Sequence, residues 1–202
     1  MAFTVKQKVK AAAWAVVATA VATSPITVSA ATQTADTTVN ATVNKVISIS
    51  SVSPVNFTMT PTAGGVVSSA SDTVTVSTNS SNGYNLTLAN VDATTSLASG
   101  GNTITAHAGT QASPTTLANG TWGYRVVGVG GFGAGAYTGE TDQGSSTSTW
   151  AGVPASGSAN TLKTTGVAAT NDVTTVWYGA KVTTAQASGT YTDVVRYTAT
   201  TN

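Results

Sequence analysis

From residue 172 to residue 202 the apolar positions alternate with polar ones. Val176, Tyr178, Ala180 and Val182 fall on one side of an extended chain, and Trp177, Gly179 and Lys181 on the other. That period of two marks a half-buried strand. Ala187-Ser188-Gly189 breaks the pattern and Tyr191 to Thr200 resumes a β-rich run. Two runs joined by a short polar loop predict an antiparallel pair that closes a sheet.

The same reading applies upstream. Val39 to Ser50 alternates through Val39, Ala41 and Val43, then through Ile47 and Ile49 after a phase shift near Lys45. Such a shift suits a bulge or a strand that changes sheets. Val55, Phe57 and Met59 predict a short strand with those three side chains inward. Asp72 to Thr78 and Tyr84 to Leu88 flank Asn82-Gly83, the strongest short-range hairpin signal in the chain. Thr103 to Ala106 is a weaker strand, and Thr121 to Val129 a strong one with Trp122, Tyr124 and Val126 on a shared face.

The segment from Gly130 to Thr170 loses the pattern. Gly130 to Tyr137 has too little side-chain mass for a core strand, so this stretch reads as a long loop with one or two anchoring aromatics. Short strands separated by Gly, Asn and Pro predict an all-β chain. The expected architecture is an antiparallel β-sandwich of jelly-roll or Ig-like type.

Composition adds a compartment. Lys6, Lys8 and Lys10 precede an apolar run from Ala11 to Val21, and Val28-Ser29-Ala30 places small residues where a signal peptidase reads. The run is shorter than the roughly 20 residues that span a bilayer. Residues 1–30 are therefore expected to be a helical signal peptide and 31–50 an N-terminal strand segment. Residues 51–202 would form one domain with a Gly/Ser-rich loop region at 130–170.

Only 7% of residues are charged, against roughly 25% in ordinary soluble domains. Thr, Ser, Asn and Gly supply the polar surface instead. Without Lys6, Lys8 and Lys10 the eight basic residues become five against seven acidic ones, a net −2. No basic patch exists, so nucleic acid is excluded as a partner. With no cysteine, disulfides and thiolate metal sites are excluded as well.

The Ala187-Ser188-Gly189-Thr190-Tyr191-Thr192-Asp193 segment leading into Val194-Val195-Arg196-Tyr197-Thr198 resembles the closing strand of exported bacterial surface β-proteins. Spore-coat-U-like and fimbrial subunits, and wall-associated WxL proteins, finish in a similar way. Asn82 to Thr87, Trp122 to Val126 and Val176 to Gly179 add to a class-level likeness to exported surface proteins of bacteria. The disulfide usual in chaperone–usher fimbrial subunits and the paired Trp-x-Leu motifs are absent. The resemblance implies a secreted, cell-surface β-domain.

Candidate chemistry is sparse. His107 is the single histidine and has no Gly-x-Ser-x-Gly elbow to serve. Glu140 and Asp142 form the only close acidic pair, open to a weak calcium site or to paired-carboxylate chemistry, but reading more simply as solvated loop residues. Trp150 and Tyr137 lie in the loose loop, with Trp150 the aromatic expected at the surface, where it would stack on a sugar. Lys45, Lys163 and Lys181 are candidates for a Lys–Asn cross-link. No catalytic residue, cofactor or metal is assigned, and an enzyme is not expected.

The leading expectation is a non-enzymatic, self-associating surface-layer or fibre subunit. It would polymerise by donating the strand at 31–50 to a neighbour's sheet edge. The alternative is a module binding glycan or cell wall through Trp150, Tyr137, Glu140 and Asp142.

Overall fold

In the computed structural model, residues 29–202 are described; the basic run and apolar core of the expected leader lie outside the described residues. Two compact units are distinguished, 1–41 and 42–202. Residues 29–41 of the first are exposed and belong to no strand. Among the described residues no helix is long and apolar enough to cross a membrane.

The second unit is all-β. Its strands are β1 (Ile47–Ser50), β2 (Val66–Thr78), β3 (Tyr84–Asn90), β4 (Leu97–Ser99), β5 (Asn102–Ala106) and β6 (Thr115–Thr116). They continue as β7 (Thr121–Arg125), β8 (Thr149–Trp150), β9 (Asn160–Thr164), β10 (Ala169–Val182) and β11 (Val195–Thr201). Six of them build one curled sheet, half of a barrel, in the order β1-β2-β10-β7-β5-β4. A three-stranded sheet, β11-β3-β9, and the short β6-β8 pair complete the fold.

The core forms where the period-two pattern requires it. Val74, Val76, Trp122, Tyr124, Val176, Tyr178, Ala180 and Val182 from the large sheet meet Tyr84, Leu86, Leu88 and Leu162 from the small one in a single buried cluster. The hydroxyls of Tyr178 on β10 and Tyr197 on β11 sit 2.7 Å apart. Burial raises the pKa of both, so the pair stays protonated across the working range. Val55, Phe57 and Met59 are half-buried against this cluster as their alternation predicts, although they join no ladder.

Three pairings differ from the sequence reading. The Asn82-Gly83 turn does not close a hairpin, because β2 pairs with β1 and β10 while β3 pairs with β11 and β9. The turn instead carries the chain from one sheet to the other. Gly83 supplies the positive φ of 75° that this corner needs. Both inward faces, Val74 and Val76 on β2 and Leu86 and Leu88 on β3, are buried in the same core, which a flat two-stranded ribbon does not provide.

In the same way β10 and β11 lie in different sheets and do not pair with each other. The large sheet is also mixed rather than wholly antiparallel. β5 and β7 run parallel, with Thr105 opposite Thr121 and Ala106 opposite Trp122. The strand expected to reach Val129 ends its ladder at Arg125, although Val126 remains buried. Finally, the strand expected from Val39 begins at Ile47; Val39 and Val43 are 86% and 85% exposed.

Candidate functional site

The outer face of the large sheet carries the residues singled out in the loop. Alternation on β2 and β10 turns Val67 and Trp177 away from the main core, where they join Leu117, Trp150 and Tyr137 in a second apolar cluster. Residues 137–148 lie across this face as a strap. Val67 and Gln143 exchange both backbone hydrogen bonds, at 3.0 and 2.9 Å. Gly139, at φ 91°, brings the strap against Trp177; a Cβ there would come within 2.8 Å of the indole.

Trp150, expected at the surface, is fully buried. The reason is packing: Gly179 on β10 leaves room for the indole, and a Cβ at Gly179 would come within 2.6 Å of Cη2. Tyr137 stands edge-on to Trp150 and Trp177, with ring centroids 5.7 and 4.9 Å away. In this position Trp150 has no face left for a sugar.

Arg125 completes the cluster. Its guanidinium lies 4.1 Å from the Tyr137 ring centroid and 5.9 Å from that of Trp150. Burial lowers its pKa from the ordinary value, opposed by the charges of Tyr137 and Glu140. No motif announces this arrangement. The one hint in the sequence is a basic residue at the end of a strand whose other positions are Thr, Trp, Gly and Tyr.

Glu140 is engaged by the strap itself and Asp142 by donors outside it. Glu140 accepts from the Ser146 hydroxyl at 2.7 Å and the Ser148 hydroxyl at 2.9 Å, and the Tyr137 hydroxyl lies 2.8 Å from the Ser69 hydroxyl. Burial pushes the Tyr137 hydroxyl up to about 12. Asp142 accepts from the Thr60 amide at 2.8 Å and the Ser68 hydroxyl at 3.2 Å. These bonds hold its carboxyl below the usual carboxylate range, the Thr60 amide contributing most. The structure therefore brings all four candidate residues onto one face, where their contacts tie the strap to β2. Among the described residues no group of three His, Asp or Glu side chains is placed to hold a metal ion.

Of the candidate cross-linking lysines, Lys163 on β9 contacts Asp172 on β10 at 2.5 Å, with a third of the lysine side chain exposed. The other Asp172 oxygen accepts from the Tyr84 hydroxyl at 2.8 Å. The trio staples the small sheet to the large one. Burial raises the Asp172 pKa, but the hydrogen bonds from Lys163 and Tyr84 and the ammonium charge outweigh it and hold the carboxyl low. A carboxylate with a depressed folded pKa stabilises above its unfolded pKa and loses that contribution as pH falls through the folded value. Asp172→Asn is thus expected to cost about 1–2 kcal/mol at pH 7. The difference from wild type should shrink below about pH 4. Urea midpoints of the two proteins over a pH series check this, and a gap that stays constant down to strong acid refutes it.

His107, at the end of β5, is enclosed by threonines. Nε2 lies 2.8 Å from the Thr115 hydroxyl and Nδ1 3.3 Å from that of Thr121. The Thr121 hydroxyl donates to the Ala118 carbonyl at 2.7 Å, so it accepts from Nδ1–H, and Nε2 is left to accept from Thr115. Burial lowers the His107 pKa against an opposing bond to the Thr115 backbone, which favours the neutral ring. Among the described residues no carboxylate hydrogen-bonds the ring, whose side-chain partners are the two threonine hydroxyls.

No protein family, curated protein or solved structure matches the chain.

Proposed function

We propose that the chain is an exported bacterial cell-surface structural protein that self-associates by strand donation, with residues 31–43 as the donor. One observation carries the reading. Val39, Ala41 and Val43 alternate as a half-buried strand does, yet they are exposed and unpaired among the described residues. A β-patterned segment left unpaired among the described residues is suited to the sheet edge of another copy.

The donor is shorter than the sequence suggested. Ile47–Ser50 is committed to β2, and residues 44–46 are tied down by Asn79 and Thr78: the Asn79 amide donates to the Asn44 carbonyl, and Val46 exchanges bonds with both side chains. The two sheets facing one core support a β-sandwich of jelly-roll or Ig-like type, altered by its parallel β5–β7 pair. The leader at 1–30 and the resemblance of residues 187–198 to closing strands of surface subunits belong to the same reading. Electron microscopy of the chain from Ala31 onward, over a concentration series, is expected to show filaments or ordered sheets. Dispersed monomers at every concentration would refute self-association.

A further inference from the structure

Apart from any self-association, a cleft of roughly 510 Å³ opens beside His107, between the stretches 107–112 and 152–160. Its size is that of small-ligand sites. We propose that it binds a neutral saccharide unit.

The chemistry of its walls carries the assignment. No charged side chain lines the cleft, and burial favours the neutral form of His107, whose ring nitrogens lie against the Thr115 and Thr121 hydroxyls. The amide groups are fixed from behind by a core tyrosine. Tyr124 donates to Gln111 Oε1 at 2.7 Å, Asn160 Nδ2 donates to Tyr124 at 2.7 Å, and Gln111 Nε2 donates to the Thr161 carbonyl at 2.8 Å. Asn160 Oδ1 is left as an acceptor with no partner among the described residues. The backbone N–H groups of Ala108, Gly109, Gln111 and Ala112 likewise have none. Preset donors and acceptors without charge match hydroxyl and acetamido groups rather than an ion. Half-buried Pro154 adds an apolar edge for the C–H face of a sugar ring, backed by the core residue Val153.

The walls are also rigid. The Gly152 amide donates to the Gly109 carbonyl at 2.9 Å, and a Cβ at Gly152 would collide with the His107 carbonyl. The cleft is therefore shaped by backbone packing before any ligand arrives.

The test is an amide-resonance titration of the full chain with N-acetylglucosamine trimer, with maltotriose and, separately, with inorganic phosphate. Saturating shifts confined to residues 107–112 and 152–160 are expected with a trisaccharide, at a dissociation constant on the order of 1 mM. Asn160→Ala and Thr110→Ala should each weaken binding by about tenfold. Thr110 lines the cleft and its hydroxyl accepts from the Ser113 amide at 3.1 Å, outside the Tyr124 network, so its variant separates loss of binding from disturbance of the core. Cleft resonances that stay still with both trisaccharides, or that move with phosphate instead, overturn the proposal.

Discussion

Replacing Trp150 by alanine is expected to lower the unfolding free energy by about 3–5 kcal/mol. The indole is fully buried, packs with Val67, Leu117, Tyr137 and Trp177, and fills the space left by Gly179. Truncation leaves a cavity beneath the strap that a sheet cannot collapse to fill. It also opens the cage around the Arg125 guanidinium, whose aromatic contact contributes about 0.5–2 kcal/mol.

Two companions locate the effect. Trp150 Nε1 is buried without a hydrogen-bond partner, so Trp150→Phe loses volume but no bond and should cost less than half as much. Gly179→Ala attacks the same contact from the sheet side, and overpacking there should cost about 1–3 kcal/mol. Denaturant unfolding measures all three. A Trp150→Ala protein within about 1 kcal/mol of wild type would mean that the indole is not the keystone of the outer face.

Deleting residues 31–43 is expected to abolish assembly while leaving the unfolding midpoint of the domain unchanged. Both halves follow from the same fact: among the described residues this segment contributes no ladder. If Val39 and Val43 become buried on a neighbour, each contributes about 1.5–3 kcal/mol, which together is worth at least a hundredfold in affinity. The paired substitutions Val39→Asp and Val43→Asp should therefore raise the concentration needed for assembly by about a hundredfold or more. Sedimentation with electron microscopy reads the first half and thermal unfolding the second. Polymers that persist after the deletion would place the contact elsewhere and remove strand donation as the mechanism.

How far the fold could be read depended on the kind of contact. The inward sets Val176–Tyr178–Ala180–Val182 and Trp122–Tyr124–Val126 are buried as the alternation indicates, because the side-chain period of a strand is set locally. Pairing is not local. The same alternation is compatible with β10 lying beside β11 or across the core from it, and the hydroxyl contact of Tyr178 with Tyr197 shows the second. Asn82-Gly83 marks a reversal correctly, but a turn specifies two residues and not which edge the next strand joins.

The loop misled for a related reason. Trp150 is followed and preceded by small and polar residues, which reads as exposure; its burial comes from Tyr137 in the same loop and from Val67 and Gly179 on strands distant in the sequence. Tyr137, Glu140 and Asp142 were legible as a group by proximity. Their role in anchoring the strap depends on Ser68 and Ser69, about seventy residues upstream.

The sequence by itself determined the all-β class, the inward faces of the main strands and the absence of thiol chemistry, because period-two alternation and residue identity are properties of neighbours along the chain. Only the tertiary structure decided which strands pair, that one pair runs parallel, that Trp150 is interior, and that His107 borders a cleft. Those outcomes rest on contacts between distant residues, where the burial of one side chain is set by the volume and hydrogen-bonding groups that another segment happens to bring.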